Sequence, residues 1–402
     1  MTHLVNKLLI ARVLANNHHT NVDNIEVQTS DVKLSSTNGE NFCSDIYVAK
    51  VTYKLNGNDL QSSFIVKIMR PEIAEIGTNE EQMFTRVLPT MEEFFNRLRN
   101  AKNKLYPRCF LTEKVDGHEF YVLEDLNTMG YFCADRIRGL DEAHARLLMQ
   151  KIGQFHAASL MYEKKFPEIV NSLGKSHFAN GATDVVAEAI AFGGMEYVAN
   201  MIETWAGYEQ LSSKIRSLSA RFNDKVKKVV DPQNSVVNVI THGDLWVNNV
   251  LFRNEADTKH PIDVLFVDFQ NSFWGGCGYD LNYFIYTSLQ LPVLKEKRLE
   301  LIEAYYVALK TDLQKIGYPL EYIPKWKDIL DEIKRSELIG LYCSLCELPL
   351  IALRRTTAQH FTLQTFEQPQ EMARMRLIMY DNERVRDMLL YTLKYFEEVG
   401  VL

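Results

Sequence analysis

Strand-like and helix-like patterns do not mix in this chain. Five β-branched or aromatic runs fall within residues 24–125, and helical periodicity takes over beyond them. The runs are EVQTSDVKL, DIYVAKVTY, SSFIVKIM, RCFLTEKV and EFYVLEDL. Asn56-Gly57 joins the second to the third and is the preferred pair for a tight hairpin. Asp116-Gly117 joins the last two, while the polar stretch SSTNGENFCS separates the first two. A helix over 3–15, with Leu4, Leu8 and Ala11 on one face, precedes this block. A second, over 78–98 and interrupted by Pro89, crosses its middle. The expected layout is α+β and two-lobed: a small antiparallel β lobe with one long helix (1–125) and a large, mainly helical lobe (126–402).

In the helical part, Ala145, Leu148, Ile152, Phe155 and Ser159 form one stripe over 141–160. Residues 161–230 look helical but weakly patterned. Further helices are expected over 278–290, 294–316, 326–348 and 380–398, the last aligning Val385, Leu389, Thr392 and Phe396. One strand-rich island interrupts them, VVNVITHGDLWVNNVLF followed by IDVLFVDFQ. Clefts between lobes are a preferred place for ligands.

Composition narrows the partners. Against 52 Asp and Glu stand 45 Lys and Arg, a net charge of −7, which argues against broad binding to nucleic acid or to an anionic membrane. Six scattered cysteines are too few for a secreted disulfide scaffold. Cys343 and Cys346 form the one C-x-x-C pair, inside the apolar run ELIGLYCSLCELPLIAL. With no second pair and no nearby His they read as buried core thiols rather than a zinc site. No window approaches 18 uninterrupted apolar residues, and Lys7 and Arg12 break the N-terminal apolar stretch. A soluble, cytoplasmic protein without membrane insertion is expected.

The strongest chemical signal is His242-Gly243-Asp244-Leu245-Trp246-Val247-Asn248-Asn249, the pattern H-G-D-x-x-x-x-N. Strand-like VVNVI leads in, and a second apolar run ends at Asp268-Phe269-Gln270. Phosphoryl transfer from ATP to an alcohol needs a metal to neutralise charge and a hydroxyl aimed in line. Mg²⁺ takes hard oxygen ligands, which suits the Asn249 amide and the Asp268 carboxylate. Asp244 would then accept the hydroxyl proton. Taken singly, Asp244 and Asn249 read equally well as turn residues between strands.

Lys67 lies in SSFIVKIM on the face shared by Ile65 and Met69, where it could snorkel or anchor phosphates. NEEQMF offers Glu80, or failing that Glu81, as a carboxylate partner on the following helix. Asn41 and Ser44 lie in a one-glycine loop that could cradle phosphate oxygens through backbone N–H groups. Glu124 and Leu126 bracket the end of the last small-lobe strand, where backbone groups could meet an adenine edge.

With these residues in place, the chain resembles the ecdysteroid kinase-like family, a branch of the choline kinase and aminoglycoside phosphotransferase group with a protein-kinase-like fold. The matching pieces are GENFCSDIY, FIVK, NEEQMFTRVLP, YVLEDL, GQFHAASL, THGDLWVNNVLF and VDFQNSFWGGCGYDL, in order over residues 35–290. The resemblance implies ATP-dependent phosphorylation of a small-molecule hydroxyl, with a steroid alcohol as eponymous substrate. It implies Lys67 and Glu80 as the phosphate-anchoring pair, Asp244 as the catalytic Asp, Asn249 and Asp268 as metal ligands, and Glu124 to Leu126 as the hinge. Gln270 departs from the Gly of D-F-G and from the acidic residue many small-molecule kinases carry there. His156 and His242 read as supports of the catalytic loop, and Asp280 as a helix cap or loop brace.

The acceptor is written less clearly. Phe273, Trp274, Tyr279, Tyr283 and Phe284 suit the flat body of a steroid, the cation of choline or ethanolamine, or an ordinary helical core. Three readings stand: a kinase of lipophilic alcohols, a choline or ethanolamine kinase, and a catalytically silent kinase-like binding module.

Overall fold

The computed structural model describes residues 5–35, 44–70, 79–97, 104–115, 118–354, 357 and 363–402. Helix α1 (Lys7–His18) leads into β1 (Ile25–Leu34), β2 (Ser44–Leu55), β3 (Asn58–Met69), β4 (Cys109–Val115) and β5 (His118–Glu124). These strands make one antiparallel sheet in the order β1-β2-β3-β5-β4. Asn56 and Gly57 both take positive φ, 50° and 85°, as the tight β2–β3 hairpin requires.

Alternation along β3 sorts its side chains. Phe64, Val66 and Ile68 pack with Leu9, Ile10, Val13 and Leu14 of α1, while Ile65 and Lys67 face the other way, into a cleft. The buried stripe of α1 is therefore not the expected Leu4, Leu8 and Ala11: Ala11 is buried but Leu8 is 66% exposed, and Leu4 lies outside the described residues. Leu9, Ile10, Val13 and Leu14 form the buried face and turn Leu8 outward, and Arg12 at its edge pairs with Glu113 of β4 at 2.8 Å.

The helix expected over 78–98 is present in pieces: Glu80–Gln82, a π turn at Met83–Val87, and α2 (Leu88–Asn96). At the π turn the Leu88 N–H reaches back five residues to the Met83 carbonyl, directly before Pro89. A proline lacks the N–H and its ring crowds the carbonyl four residues back, so the helix widens instead of ending. The same device recurs at a second Leu-Pro. The single helix expected over 326–348 is Trp326–Arg335, Glu337–Tyr342, a π turn at Cys343–Glu347 and Leu348–Ile351. Pro349 cannot donate to the Leu345 carbonyl, which accepts from the Tyr380 hydroxyl at 2.6 Å instead.

The helical body is built on α3 (Glu142–Lys165), α4 (Val185–Ile202), α5 (Gly278–Ser288) and α6 (Leu291–Lys315). All five stripe residues of α3 are buried. It packs closely on α6, where a side chain at Gly153 would meet the Tyr305 carbonyl at 2.5 Å. By length and composition alone, α4 is apolar enough to cross a membrane, which the search for uninterrupted apolar windows does not anticipate. It nonetheless carries Glu188 and Glu196, and buries Ala191, Gly194, Met195, Val198, Ala199 and Ile202 in the protein. Cys343 and Cys346 are buried thiols, the latter donating to the Ala191 carbonyl. In the last helix, Glu383–Glu398, the four aligned residues are all buried.

Candidate active site

Four short strands position the motif: β6 (Asn238–Ile240), β7 (Val250–Asn254), β8 (Pro261–Phe266) and β9 (Trp274–Gly276). β7 and β8 form a hairpin, and the Val267 N–H continues it to the Asn249 carbonyl at 2.9 Å. That bond brings Asn249 beside Asp268. β6 pairs with β9 rather than with the hairpin, so the segment 241–249 loops out between them. Gly243 holds φ +82° in that loop, and a Cβ there would fall 1.9 Å from the Asn271 carbonyl, so only glycine fits.

Asp280, in the first turn of α5 and fully buried, braces the loop. Its Oδ2 accepts from the His242 N–H at 2.6 Å and its Oδ1 from the Gly243 N–H at 3.0 Å. His156 Nε2 lies 3.1 Å from the same Oδ2, and His156 Nδ1 lies 2.9 Å from the Tyr305 hydroxyl. His242 Nε2 meets the Val267 carbonyl at 2.9 Å, and burial holds its pKa below the ordinary histidine value. Both histidines are thus tied into the frame of the loop.

Lys67 joins the two parts of the molecule. Its Nζ donates to Glu80 Oε2 at 2.6 Å and to Asp268 Oδ1 at 2.8 Å. Burial works against its charge, but Asp268 and Glu80 outweigh it and hold the ammonium above the ordinary lysine value. Burial pushes the Glu80 carboxyl up while Lys67 pulls it down. Glu81 is exposed and takes no part. Asp268 adopts φ +67°, a left-handed backbone that costs a non-glycine residue roughly 1–2 kcal/mol. Phe269 after it is fully buried among Phe84, Tyr106, Phe155 and His242.

Asn249 donates from Nδ2 to the Asp244 carbonyl at 2.8 Å and to Asp244 Oδ2 at 3.0 Å. Tyr283 donates from its hydroxyl to Asp244 Oδ1 at 3.0 Å. Asp244 is pushed up to about 7 by burial first, then by Asp268 and Glu347, against the pull of Tyr283 and Asn249.

Lys67, Glu80, Leu126, Asn249 and Asp268 line one cleft of about 490 Å³, with Val48 and Ile65 among its apolar walls. Such a volume is in the range of small-molecule sites. At its rim, Glu124 Oε2 accepts from Lys104 and from the Arg108 N–H, and Asp125 accepts from Ser63 Oγ at 2.6 Å. Leu126, buried, opens a 3₁₀ turn to Met129. Ser44, at the start of β2, is buried with its Oγ unpartnered among the described residues. Asn41 lies outside the described residues.

The donor set fits a magnesium nucleotide. Both Asn249 N–H bonds go to Asp244, which leaves its Oδ1 without a donor among the described residues; Asp268 likewise spends one oxygen on Lys67 and keeps the other. Those are two hard oxygens beside a buried cation, and Mg²⁺ takes its remaining ligands from phosphates and water. No closed cage of three or more His, Cys, Asp or Glu occurs among the described residues.

The search by motif missed Glu347. It ends the second π turn and accepts from the Tyr342 hydroxyl. Its one signal in the sequence is being the lone acid inside the apolar run after Gly340. Of the aromatic residues proposed for an acceptor wall, Phe273, Tyr279, Tyr283 and Phe284 are all core residues and Trp274 sits in β9. Tyr279 and Tyr283 stack at 6.1 Å beside Asp244.

No curated protein matches the chain. Among solved structures, it is similar to a putative fructosamine-3-kinase from Haemophilus somnus 129PT, with 13% identity, 83% of this chain and 96% of that one covered, and a TM-score of 0.32. It is also similar to the GDP complexes of aminoglycoside 2'-phosphotransferase-IIIa. The mutant complex gives 10% identity, coverage of 96% and 100%, and a TM-score of 0.42. The wild-type complex gives 12%, coverage of 94% and 98%, and 0.37. At these scores none of the likenesses bears on this chain's chemistry. A family model does: the one described as the ecdysteroid kinase-like family matches residues 38–318, well over half the sequence. Together with the antiparallel sheet, the helical body and the cleft between them, that match means the chain belongs to the ecdysteroid kinase-like family and has its protein-kinase-like fold.

Proposed function

We propose that the protein is an ATP- and Mg²⁺-dependent small-molecule kinase that phosphorylates an alcohol hydroxyl, with an ecdysteroid or similar lipophilic alcohol as acceptor. The observation that carries this reading is Lys67 meeting Glu80 and Asp268 in the same cleft as Asn249. Bound as its magnesium complex, ATP supplies the phosphoryl group and the charge neutralisation that transfer requires. Lys67, held by Glu80, anchors phosphate oxygens, while Asn249 Oδ1 and Asp268 hold the metal. Asp244 orients the acceptor hydroxyl and takes its proton; each of its oxygens already accepts one hydrogen bond and keeps a lone pair. Leu126 and its neighbours form the adenine rim. The lobes divide at residue 125, and the enzyme works in the cytoplasm on a small-molecule alcohol.

A second reading, phosphorylation of choline or ethanolamine, is favoured by the acid Glu347, whose charge acts on Asp244. A silent binding module is disfavoured because Lys67, Asp244, Asn249 and Asp268 are all present.

The test is ATP consumption against ecdysone, cholesterol, choline and ethanolamine, with mass spectrometry for the phosphate ester. Asp244→Asn should lower turnover by roughly 10²–10⁴ and leave Mg·ATP affinity within a few-fold. A wild-type protein that neither binds Mg·ATP nor forms an ester would overturn the reading.

A further inference from the structure

The helix that presents Glu80 is fastened to the helical body at its start. Asn79 holds the N-cap position of that helix, where an asparagine side chain ordinarily accepts from the helix's own N–H groups. Here it makes no such bond among the described residues, and it reaches across to the large lobe instead. Its Nδ2 donates to the Ser272 carbonyl, its Oδ1 accepts from the Gly174 N–H at 2.8 Å, and its own N–H donates to the Gln270 carbonyl at 3.4 Å. Gln82 adds a bond from Nε2 to Ser172 Oγ at 2.9 Å. Gly174 is fitted to this contact, since a Cβ there would fall 2.9 Å from Asn79 Nδ2. Ser272 is fully buried and donates from Oγ to the His242 carbonyl at 3.3 Å, so the segment that Asn79 grips also rests on the catalytic loop.

These bonds close a ring. Lys67 joins Glu80 to Asp268, and Asn79, the residue before Glu80, joins the same helix to the carbonyls just beyond Asp268. Glu80 cannot swing away from Lys67 unless Asn79 lets go of Ser272 and Gly174. Asn79 lies outside the lining of the cleft, so its effect on a nucleotide passes through Glu80. Resting on the kinase reading above, we propose that Asn79 is a positioning residue that keeps Glu80 on Lys67, so that the phosphate-anchoring pair is assembled before Mg·ATP arrives. In kinases whose lysine–glutamate pair can part, the position of the helix bearing the glutamate controls activity. Spending the cap side chain on the opposite lobe removes that freedom here.

The experiment measures the Mg·ATP Kd by calorimetric titration for wild type, Asn79→Ala, Glu80→Ala, the double variant and Gly174→Ala, with thermal unfolding as the control for folding. Asn79→Ala removes two hydrogen bonds and loosens the pair, and should raise Kd by about 10-fold. The double variant should bind within two-fold of Glu80→Ala alone, because without Glu80 there is nothing left for Asn79 to aim. A residue that only stabilised the fold would give independent, multiplying effects instead. Gly174→Ala leaves the helix and the cleft untouched but pushes on the Asn79 amide, and should raise Kd a few-fold. Asn79→Ala with Kd within two-fold of wild type, or a double variant weaker than Glu80→Ala by the full Asn79→Ala factor, would defeat the inference and leave the kinase reading intact. Should Asn79→Ala fail to fold, Gly174→Ala decides alone, since Gly174 is exposed, and a Kd equal to wild type refutes the role. A wild-type protein that does not bind Mg·ATP defeats the kinase reading and this inference with it.

Discussion

Replacing Asp280 with Asn tests how the catalytic loop is held. The side chain keeps its size, but one carboxylate oxygen becomes an N–H donor. In the native arrangement Oδ2 accepts from the His242 N–H and sits against His156, while Oδ1 accepts from the Gly243 N–H. Whichever way the amide turns, a buried backbone N–H then faces another donor. Leaving that group unsatisfied costs about 1–3 kcal/mol, and the remaining bonds lose their charge assistance, roughly 1 kcal/mol each. The sum is about 3–5 kcal/mol, a large share of the ~5–15 kcal/mol that holds a typical domain together. For a chain of this length the corresponding drop in melting temperature is about 5 °C. Because the loop carries Asp244, a shift of about 1 Å should also lower kcat by roughly 100-fold. Thermal unfolding and steady-state turnover of Asp280→Asn measure both effects. A melting temperature within 1 °C of wild type, with kcat unchanged, would refute the brace.

Two further perturbations follow from the charges in the cleft. Lys67→Met strips the buried Glu80 of its cation, so the variant should lose about 3–5 kcal/mol near pH 8 and less near pH 5, where the freed carboxyl is protonated; urea unfolding at the two pH values checks this, and equal losses would contradict it. The raised pKa of Asp244, about 7, gives kcat/KM an acid limb in the free enzyme: activity is present above that pH and falls below it. Tyr283→Phe removes a bond that favours the ionised form and should move the limb to higher pH, while Glu347→Gln removes a like charge and should move it lower. Limbs that stay together in a pH–rate comparison would refute this account. For stability the sign is opposite: the folded carboxyl holds its proton more tightly than the unfolded one, so this contribution is complete below about pH 4 and is lost as pH rises through about 7.

Where the sequence was legible, short-range physics wrote it. Alternation along SSFIVKIM puts Lys67 on the cleft face, and Asn56-Gly57 turns the hairpin that sets β2 beside β3. The motif residues 242–249 carry their own spacing, and the β7–β8 hairpin closes Asn249 onto Asp268. The misreadings arise where a partner distant in the sequence decides. The rotation of α1 is set by the sheet face it meets, where Phe64, Val66 and Ile68 receive Leu9, Ile10, Val13 and Leu14. Pro349 lies one residue past the helix expected over 326–348, yet the widened turn before it, with Tyr380 on the Leu345 carbonyl, is tertiary. Glu347 escaped notice because a single acid in an apolar run has no pattern to match.

The second widened turn has a mechanical consequence. It contains one residue more than a regular helical turn, so deleting any one of its five would close it to a regular turn while the helix beyond keeps its place. Glu347 would then point elsewhere, with the burial of the distant core scarcely altered. Proline resists that rewinding, because a tight turn would drive its ring into the Leu345 carbonyl. Length at this point, more than composition, therefore sets which way the side chains of the turn face.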